Sequence, residues 1–195
     1  MANLEFRYGP MNSGKSMALL QMAYNYEENN KKVVLIKPSI DTKGEDYLVS
    51  RIGPKRKVDI KLLENESLFC DKYIKNILKA DAILVDEAQF LTKKQVEELW
   101  IISKKHNISV ICFGLKTNFK SEFFEGSKRI FELADKFKEL ETICSCGVKA
   151  RFNARKVNKR FTLKGDECII DGKKEKHEYV PLCGKCYMKK VLKIK

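Results

Sequence analysis

The sequence predicts an α/β fold, a P-loop parallel sheet flanked by helices, with a small C-terminal β domain after it. Residues 9–16 read Gly-Pro-Met-Asn-Ser-Gly-Lys-Ser, which is the G-x-x-x-x-G-K-[ST] pattern of a phosphate-binding loop. Three continuous apolar runs, at 33–36, 82–85 and 108–113, are typical of strands buried on both faces of a parallel sheet. Helical patterns separate these runs, and this alternation favours a doubly wound domain.

The phosphate loop has the residue types that binding a nucleoside triphosphate requires. Gly9 and Gly14 allow a tight turn whose backbone N–H groups converge on anionic oxygens. Lys15 supplies a cation for the outer phosphates, and the Ser16 hydroxyl is a hard oxygen ligand for Mg²⁺. A short strand is expected before the loop and a helix after it. The predicted phosphate-binding residues are Gly9, Pro10, Met11, Asn12, Ser13, Gly14, Lys15 and Ser16.

Two more helices are expected, over residues 66–78 and 92–105. Thr92 is a suitable N-cap for the second helix, whose apolar residues fall on one face. The stretch 39–61 is rich in charge and contains Gly and Pro, so we interpret it as a long, mobile excursion with a hairpin.

Composition restricts the classes of protein to which the chain can belong. Its 195 residues, 44% of them hydrophobic, allow one full domain and a small appendage. We expect a nucleotide-binding domain at 1–140 and a zinc-binding domain at 141–195. No apolar run is long enough for a transmembrane helix, and the first residues lack the layout of a signal peptide. A cytoplasmic protein without membrane contact is therefore expected.

The net charge of +13 is concentrated in the last part of the chain. Residues 141–195 contain 15 Lys or Arg against 6 Asp or Glu. A basic tail can bind nucleic acid. The basic residues are scattered rather than clustered with aromatic residues, which favours a Lys-rich surface on an enzyme whose ligands are polyanions.

Two acids follow the apolar run at 82–85. Asp86 and Glu87 stand at the C-terminal end of this predicted strand, where open α/β sheets bind their ligands. Asp86 is expected to face the metal, directly or through water. Glu87 points elsewhere and can accept a proton from an attacking hydroxyl or water. The alternative is that both acids cap the next helix.

The seven cysteines divide into three single residues and two close pairs. A disulfide framework is not expected in a reducing compartment, and Cys112 is interpreted as a small buried hydrophobe. The pairs, C-x-C and C-x-x-C, supply the four soft ligands of a structural Zn²⁺ site. Its predicted ligands are Cys144, Cys146, Cys183 and Cys186. A redox dithiol in the second pair and vestigial thiols are the alternatives.

The order and spacing of these motifs resemble the cellular-type (type II) thymidine kinases over nearly the whole chain. The resemblance rests on Pro10-Met11 within the phosphate loop, the string Asp-Glu-Ala-Gln-Phe at 86–90, residues 114–119 and the two Cys pairs. It implies transfer of the ATP γ-phosphoryl group to the 5′-hydroxyl of thymidine, and of deoxyuridine as well, to give dTMP in nucleotide salvage. It also implies a homotetramer and feedback inhibition by dTTP.

The resemblance further implies roles for individual residues. Glu87 matches the general base, Asp86 and Ser16 match the Mg²⁺ partners, and Arg51 and Gln89 are placed on the phosphate side. The residues that match the walls of the nucleoside pocket are Met11, Phe90, Leu115, Phe119 and Phe124. Those that belong to a substrate-covering loop, the lasso of the C-terminal domain, are Ile169, Ile170, Asp171, Gly172 and Tyr179.

The sequence departs from the family pattern at four points. The first Cys pair is C-x-C where the family has C-x-x-C, so its turn is tighter and ligation by Cys144 is placed in doubt. Lys43 replaces a common Arg, Asn118 replaces a common acid, and the lasso is a few residues longer. These departures concern zinc ligation, effectors and the substrate loop rather than the phosphate chemistry.

Two other function classes use the same motifs. The first is a nucleic-acid-dependent ATPase with a zinc ribbon, in which Glu87 would activate water. The second is a zinc-ribbon adaptor, which would use the nucleotide only as a switch. The aromatic pocket expected from Phe90 and 115–124 favours the kinase, because a motor does not need such a pocket. ATP and thymidine are therefore the expected partners, and nucleic acid is not.

Overall fold

The computed structural model describes residues 2–42, 44–50, 53–165 and 177–194. The strands of the first part of the chain are β1 Leu4–Tyr8, β2 Val33–Pro38, β3 Tyr47–Val49, β4 Lys55–Lys57, β5 Ile60–Leu62, β6 Ala82–Val85, β7 Ser109–Gly114 and β8 Lys136–Glu139. Those of the last part are β9 Phe152–Val157, β10 Arg160–Thr162 and β11 His177–Leu182. The α-helices are α1 Lys15–Glu28, α2 Asp71–Ile77, α3 Lys93–Lys105, α4 Glu125–Leu133 and α5 Gly184–Tyr187. A 3₁₀ turn covers Ala88–Phe90, and a π-helical turn covers Met188–Leu192.

Six of the described strands form one parallel sheet in the order β5-β2-β6-β7-β1-β8. Because all neighbouring strands in this sheet are parallel, the connections between them must cross over, as in a doubly wound fold. The predicted α/β class is therefore confirmed. The edge strands β5 and β8 were not predicted, since each has only three or four residues and carries Lys side chains.

Helices cover both faces of this sheet. Alternate residues of β2 divide between two apolar clusters: Val34 packs in the cluster with α3 and α4, and Leu35 packs in the cluster with α1. This division explains why the strand sequences are continuously apolar rather than alternating. Cys112 is fully buried in β7, as predicted, and burial raises the pKa of its thiol to about 12.

Local hydrogen bonds set where the helices begin. Thr92 and Gln95 form the capping box of α3, which confirms the predicted N-cap. The helix predicted over 66–78 begins later, at Asp71. The reason is a tertiary contact: the Glu98 carboxylate accepts hydrogen bonds from Ser67 Oγ at 2.7 Å and from Leu68 N at 2.8 Å, which holds this segment in a turn.

Two antiparallel units complete the described structure. The predicted hairpin within 39–61 is present as β3 paired with β4. In the last part of the chain, β9 lies between β10 and β11 in a three-stranded sheet with its own apolar cluster. The domain boundary near residue 140 stays a prediction. Among the described residues, each helix is too short or too polar to span a bilayer.

Candidate active site

The phosphate loop joins the C-terminal end of β1 to the first turn of α1. Gly14 is the N-cap of α1 and has φ 76°, and Asn12 also has a positive φ, of 66°. A Cβ on Gly9 would lie 2.3 Å from the carbonyl oxygen of Leu140 and 2.5 Å from Ser13 Oγ. The tight turn therefore requires glycine at position 9 for space and favours it at position 14 for backbone conformation.

The Lys15 ammonium is held against this loop. Its Nζ donates hydrogen bonds to the carbonyl oxygens of Pro10 at 2.8 Å and Gly9 at 3.1 Å, and the residue is 8% exposed. A buried cation beside the N-terminus of α1 adds to the positive end of the helix dipole. The loop is therefore an electropositive concavity that suits phosphate oxygens.

Asp86 follows β6, and only 3% of its surface is exposed. Burial raises the pKa of its carboxyl group to about 8, and the negative charges of Glu87 and Asp41 act in the same direction, against the charge of Lys15. Within the part of the chain that the structure describes, the buried Asp86 Oδ1 has no hydrogen-bond partner. An oxygen ligand left without a protein donor beside a phosphate loop fits an Mg²⁺ ion.

Glu87 adopts an unusual backbone conformation, with φ 46° and ψ 40°. The left-handed region is costly for a residue with a Cβ, and such residues cluster at functional sites. Glu87 lines the cavity at the phosphate loop, whereas Asp86 is not among the lining residues. Glu87 precedes the 3₁₀ turn at Ala88–Phe90 but makes no side-chain capping hydrogen bond to it, so the alternative in which Glu87 serves as a helix cap is not observed.

One cavity brings Glu87 and the phosphate loop together. The cavity has a volume of about 360 Å³ and lies between the loop, the Glu87 side chain and the end of β3. Its lining residues are Met11, Asn12, Ser13, Gly14, Lys15, Ser16, Met17, Val49, Ser50 and Glu87. The arrangement places a carboxylate where it can meet a group bound beside the phosphates.

Gln89 lies between Glu87 and the backbone after β7. Its Nε2 donates to Glu87 Oε2 at 2.5 Å, and its Oε1 accepts from Leu115 N at 2.9 Å. The residue is 2% exposed and does not line the cavity at the phosphate loop. The geometry therefore gives Gln89 a contact with the candidate base.

Aromatic side chains gather beside these residues. The rings of Phe90 and Phe124 meet edge to face with centroids 5.6 Å apart, and Leu115 and Phe124 are buried. Phe119 is buried beneath the Arg155 guanidinium, whose Cζ lies 3.6 Å from the ring centroid. Phe90 and Phe124 therefore contact each other from the segments after β6 and β7, and Leu115 and Phe119 lie on the segment that follows β7.

The four cysteines of the two pairs meet in space. Their sulfur atoms all lie within 4.8 Å of one another, and Cys146 Sγ is 3.6 Å from Cys183 Sγ. Four thiolates around a tetrahedral Zn²⁺ would be separated by about 3.8 Å. Burial opposes ionisation of Cys144, yet hydrogen bonds from the backbone of Cys146 and Cys183 lower the pKa of its thiol to about 6. The cluster is compatible with structural zinc, and the short C-x-C pair does not keep Cys144 out of it.

The sequence comparison decides the family. The thymidine kinase profile matches residues 2–187. The chain belongs to the thymidine kinase family. The thymidine kinase of Lactococcus lactis is 41% identical over 192 residues, which cover 97% of this chain and 98% of that protein. The thymidine kinase of Streptococcus agalactiae is 40% identical, covering 96% and 97%, and that of Zymomonas mobilis is 40% identical, covering 98% of each.

Solved structures give a weaker likeness. A Bacteroides Pif1 bound to single-stranded DNA covers 71% of this chain and 38% of its own, with a TM-score of 0.41 and 16% identity. The Candida albicans Pif1 helicase covers 73% and 36%, with a TM-score of 0.43 and 14% identity. Similarity at this level carries no functional argument for a member of the thymidine kinase family.

Several residues expected from the family resemblance do not line the cavity or are not described. Tyr179 lies on β11, opposite Arg155 in the register with β9. Arg51 follows Ser50 of the cavity lining but lies outside the described residues, as do four lasso residues. These four are Ile169, Ile170, Asp171 and Gly172.

Sequence reasoning missed three buried polar residues of the last part of the chain. Asn153, Arg155 and Tyr187 contact the phosphate loop or the wall residue Phe119. No local pattern marks Asn153 or Arg155, since each acts on a residue far away in sequence. Tyr187 had one available signal, which is its position directly after Cys186 of the second Cys pair.

Proposed function

We propose that this chain is an ATP-dependent thymidine kinase that transfers the γ-phosphoryl group to the 5′-hydroxyl of thymidine, giving dTMP. The observation that carries this proposal is the cavity shared by Glu87 and the phosphate loop. Phosphoryl transfer needs the donor phosphates and a proton acceptor in one place. Relatives named thymidine kinase, about 40% identical over nearly the full chain, support the choice of acceptor.

The phosphate side of the reaction is held by the loop. Backbone N–H groups of the loop and the N-terminus of α1 face the β- and γ-phosphates, and Lys15 adds a compact positive charge. Ser16 and Asp86 would hold Mg²⁺, which neutralises charge on the transferring group when it is bound. Arg51 is proposed, from the family resemblance, to contact the phosphates.

The acceptor side is built around Glu87. Its carboxylate accepts the proton of the 5′-hydroxyl as the oxygen attacks, while the hydrogen bond from Gln89 fixes the direction of the carboxylate. Flat apolar walls from Phe90, Phe124 and Leu115 suit a pyrimidine ring and exclude water that would compete as acceptor. Met11 and Phe119 extend these walls.

The remaining features follow from the family resemblance and belong to this proposal. Tyr179 and the lasso at 169–172 are proposed to cover the base, and deoxyuridine is proposed as a second substrate. A homotetramer, inhibition by dTTP and a cytoplasmic location are proposed on the same ground. The zinc cluster is closed by four protein sulfurs and would stabilise the fold rather than take part in the reaction.

The direct test is phosphoryl transfer from ATP–Mg²⁺ to each common deoxynucleoside, with ATP hydrolysis measured without an acceptor. We expect transfer to thymidine and deoxyuridine with little hydrolysis in the absence of nucleoside. Acceptor-independent hydrolysis that DNA stimulates would instead establish a nucleic-acid-dependent ATPase. A salt titration of DNA binding supplies a second comparison, because specific use of the basic tail would give a steep salt dependence.

A further inference from the structure

Asn153 of β9 connects the last part of the chain to the phosphate loop. Its Oδ1 accepts a hydrogen bond from Met11 N at 2.7 Å, and its Nδ2 donates one to Thr117 O at 3.1 Å. The residue is 4% exposed, so its amide lies inside the protein. One buried amide therefore joins the loop that holds the phosphates to the segment that follows β7.

Tyr187 makes the corresponding connection to the nucleoside pocket. Its hydroxyl donates to the carbonyl oxygen of Phe119 at 2.7 Å, and the residue is 4% exposed. Its ring stacks on Phe152, with centroids 4.8 Å apart and an angle of 23° between the ring planes. The stack leaves the hydroxyl aimed at the backbone of the pocket wall.

Both residues lie close to the cysteine cluster, Tyr187 along the chain and Asn153 through strand pairing. Tyr187 directly follows Cys186, and Cys183 directly follows Leu182 of β11. Leu182 pairs with Phe152, the neighbour of Asn153, in the register of β11 with β9. One partner of each hydrogen bond, Asn153 or Tyr187, therefore lies near the cysteine cluster. The other partner, Met11 or Phe119, belongs to the proposed active site.

We propose that the four-cysteine subdomain, meaning the described residues between 142 and 192, positions both substrate subsites. Asn153 acts on the phosphate loop, and Tyr187 acts on the nucleoside wall. Both are positioning residues, since each reaches its subsite through the backbone of another residue. The proposal rests on the proposed thymidine kinase function and adds to it a structural reason for joining a zinc site to a kinase domain.

The test compares two variants, each with a matched control. Tyr187→Phe keeps the stack on Phe152 and removes only the hydroxyl, and Tyr73→Phe removes a similarly buried hydroxyl that donates to Glu66, outside the site. Asn153→Leu removes the amide at nearly constant volume. Its control is Gln95→Leu, which removes the buried amide of Gln95 in α3 that donates to Leu63 O. Dissociation constants for a non-hydrolysable ATP analogue and for thymidine are measured by calorimetry, together with zinc content and thermal midpoint.

We expect Tyr187→Phe to weaken thymidine binding by about threefold to tenfold and to leave binding of the ATP analogue within twofold. Asn153→Leu should weaken binding of the ATP analogue by a similar factor, and thymidine binding also falls because Met11 borders both subsites. The zinc content of both variants should equal that of the wild type, and the two control variants should change neither constant.

Three results would overturn this inference: a loss in Tyr187→Phe that is equal for both ligands, unchanged affinity for the ATP analogue in Asn153→Leu, or equal losses in the control variants. Failure of the proposed function gives a different result. If the wild-type protein binds the ATP analogue but not thymidine, both the proposed kinase function and the proposed role of Tyr187 are refuted. The proposed role of Asn153 is still tested in that case, by the affinity of Asn153→Leu for the ATP analogue.

Discussion

Gln89 holds the Glu87 carboxylate through a hydrogen bond of 2.5 Å from Nε2 to Oε2. The amide is itself fixed, because its Oε1 accepts from Leu115 N and the residue is 2% exposed. A Cβ on Gly114 would lie 2.7 Å from that Oε1, so the glycine leaves space for the amide. The direction of Glu87 is thus set by one neighbouring side chain in addition to its own strained backbone.

The first prediction concerns this hydrogen bond. Gln89→Leu should lower kcat for thymidine phosphorylation by about tenfold to a hundredfold, because a misdirected base loses its alignment with the 5′-hydroxyl. Affinity for the ATP analogue should stay within twofold, since Gln89 does not line the phosphate cavity. Steady-state kinetics and calorimetry measure the two quantities. Gln95→Leu, which also loses a buried amide, is the control and should keep the wild-type kcat.

The second prediction concerns space in the phosphate loop. Gly9→Ala should weaken nucleotide binding by at least about tenfold, because the added methyl group meets the Leu140 carbonyl and the loop must open. Gly184→Ala is the matched control, since its Cβ would meet only the Phe152 ring at an ordinary 3.6 Å. Equal nucleotide affinity in the two variants would show that the loop can accommodate a methyl group at position 9, which contradicts this prediction.

The third prediction concerns the metal. Protein purified without chelator should contain one zinc per chain, and a strong chelator should lower the thermal midpoint by several degrees, because binding energy at a closed thiolate site is folding energy. Cys146→Ser should lose zinc, whereas Cys70→Ser, at a cysteine outside the cluster, should retain it. Full stability of a zinc-free protein would refute the structural role.

The fourth prediction concerns pH. Hydrogen bonds from Tyr73, from the backbone of Leu63 and from Lys72 lower the pKa of Glu66 to about 2. A carboxylate whose pKa is lower in the folded state adds stability above its ordinary value of 4.5, and this contribution fades as the pH falls toward about 2. The thermal midpoint of the wild type should therefore exceed that of Glu66→Gln at about pH 7, with a smaller difference at about pH 3.

Glu64→Gln is the control for this comparison, because Glu64 is exposed and has no such hydrogen bonds among the described residues. Its midpoint should follow that of the wild type at both pH values. A difference between the wild type and Glu66→Gln that stays constant with pH would contradict the assigned shift.

Much of the candidate site could be proposed from the sequence because its motifs are local. The phosphate loop is an unbroken string at 9–16, and Asp86 and Glu87 directly follow an apolar strand. The candidate zinc ligands come in two short pairs, each of which is visible in the sequence. Parallel strands buried on both faces also appear in the sequence as continuous apolar runs, and these runs predicted the α/β class.

The parts that sequence reasoning missed depend on contacts between distant residues. Asn153 acts on Met11 across 142 positions of the chain, and no spacing rule connects them. The late start of α2 depends on Glu98, which belongs to another helix. Gln89 was placed with the phosphates because it belongs to the motif at 86–90, and only the fold shows that its amide contacts Glu87 and Leu115.

The most direct test of the account is Glu87→Gln, which keeps the shape of the side chain and removes its ability to accept a proton. We expect kcat for thymidine phosphorylation to fall by about a hundredfold to ten-thousandfold, while affinity for the ATP analogue stays nearly unchanged. Turnover near the wild-type level would show that Glu87 is not the base. A collapse of nucleotide binding together with turnover would make Glu87 a structural or metal-binding residue instead.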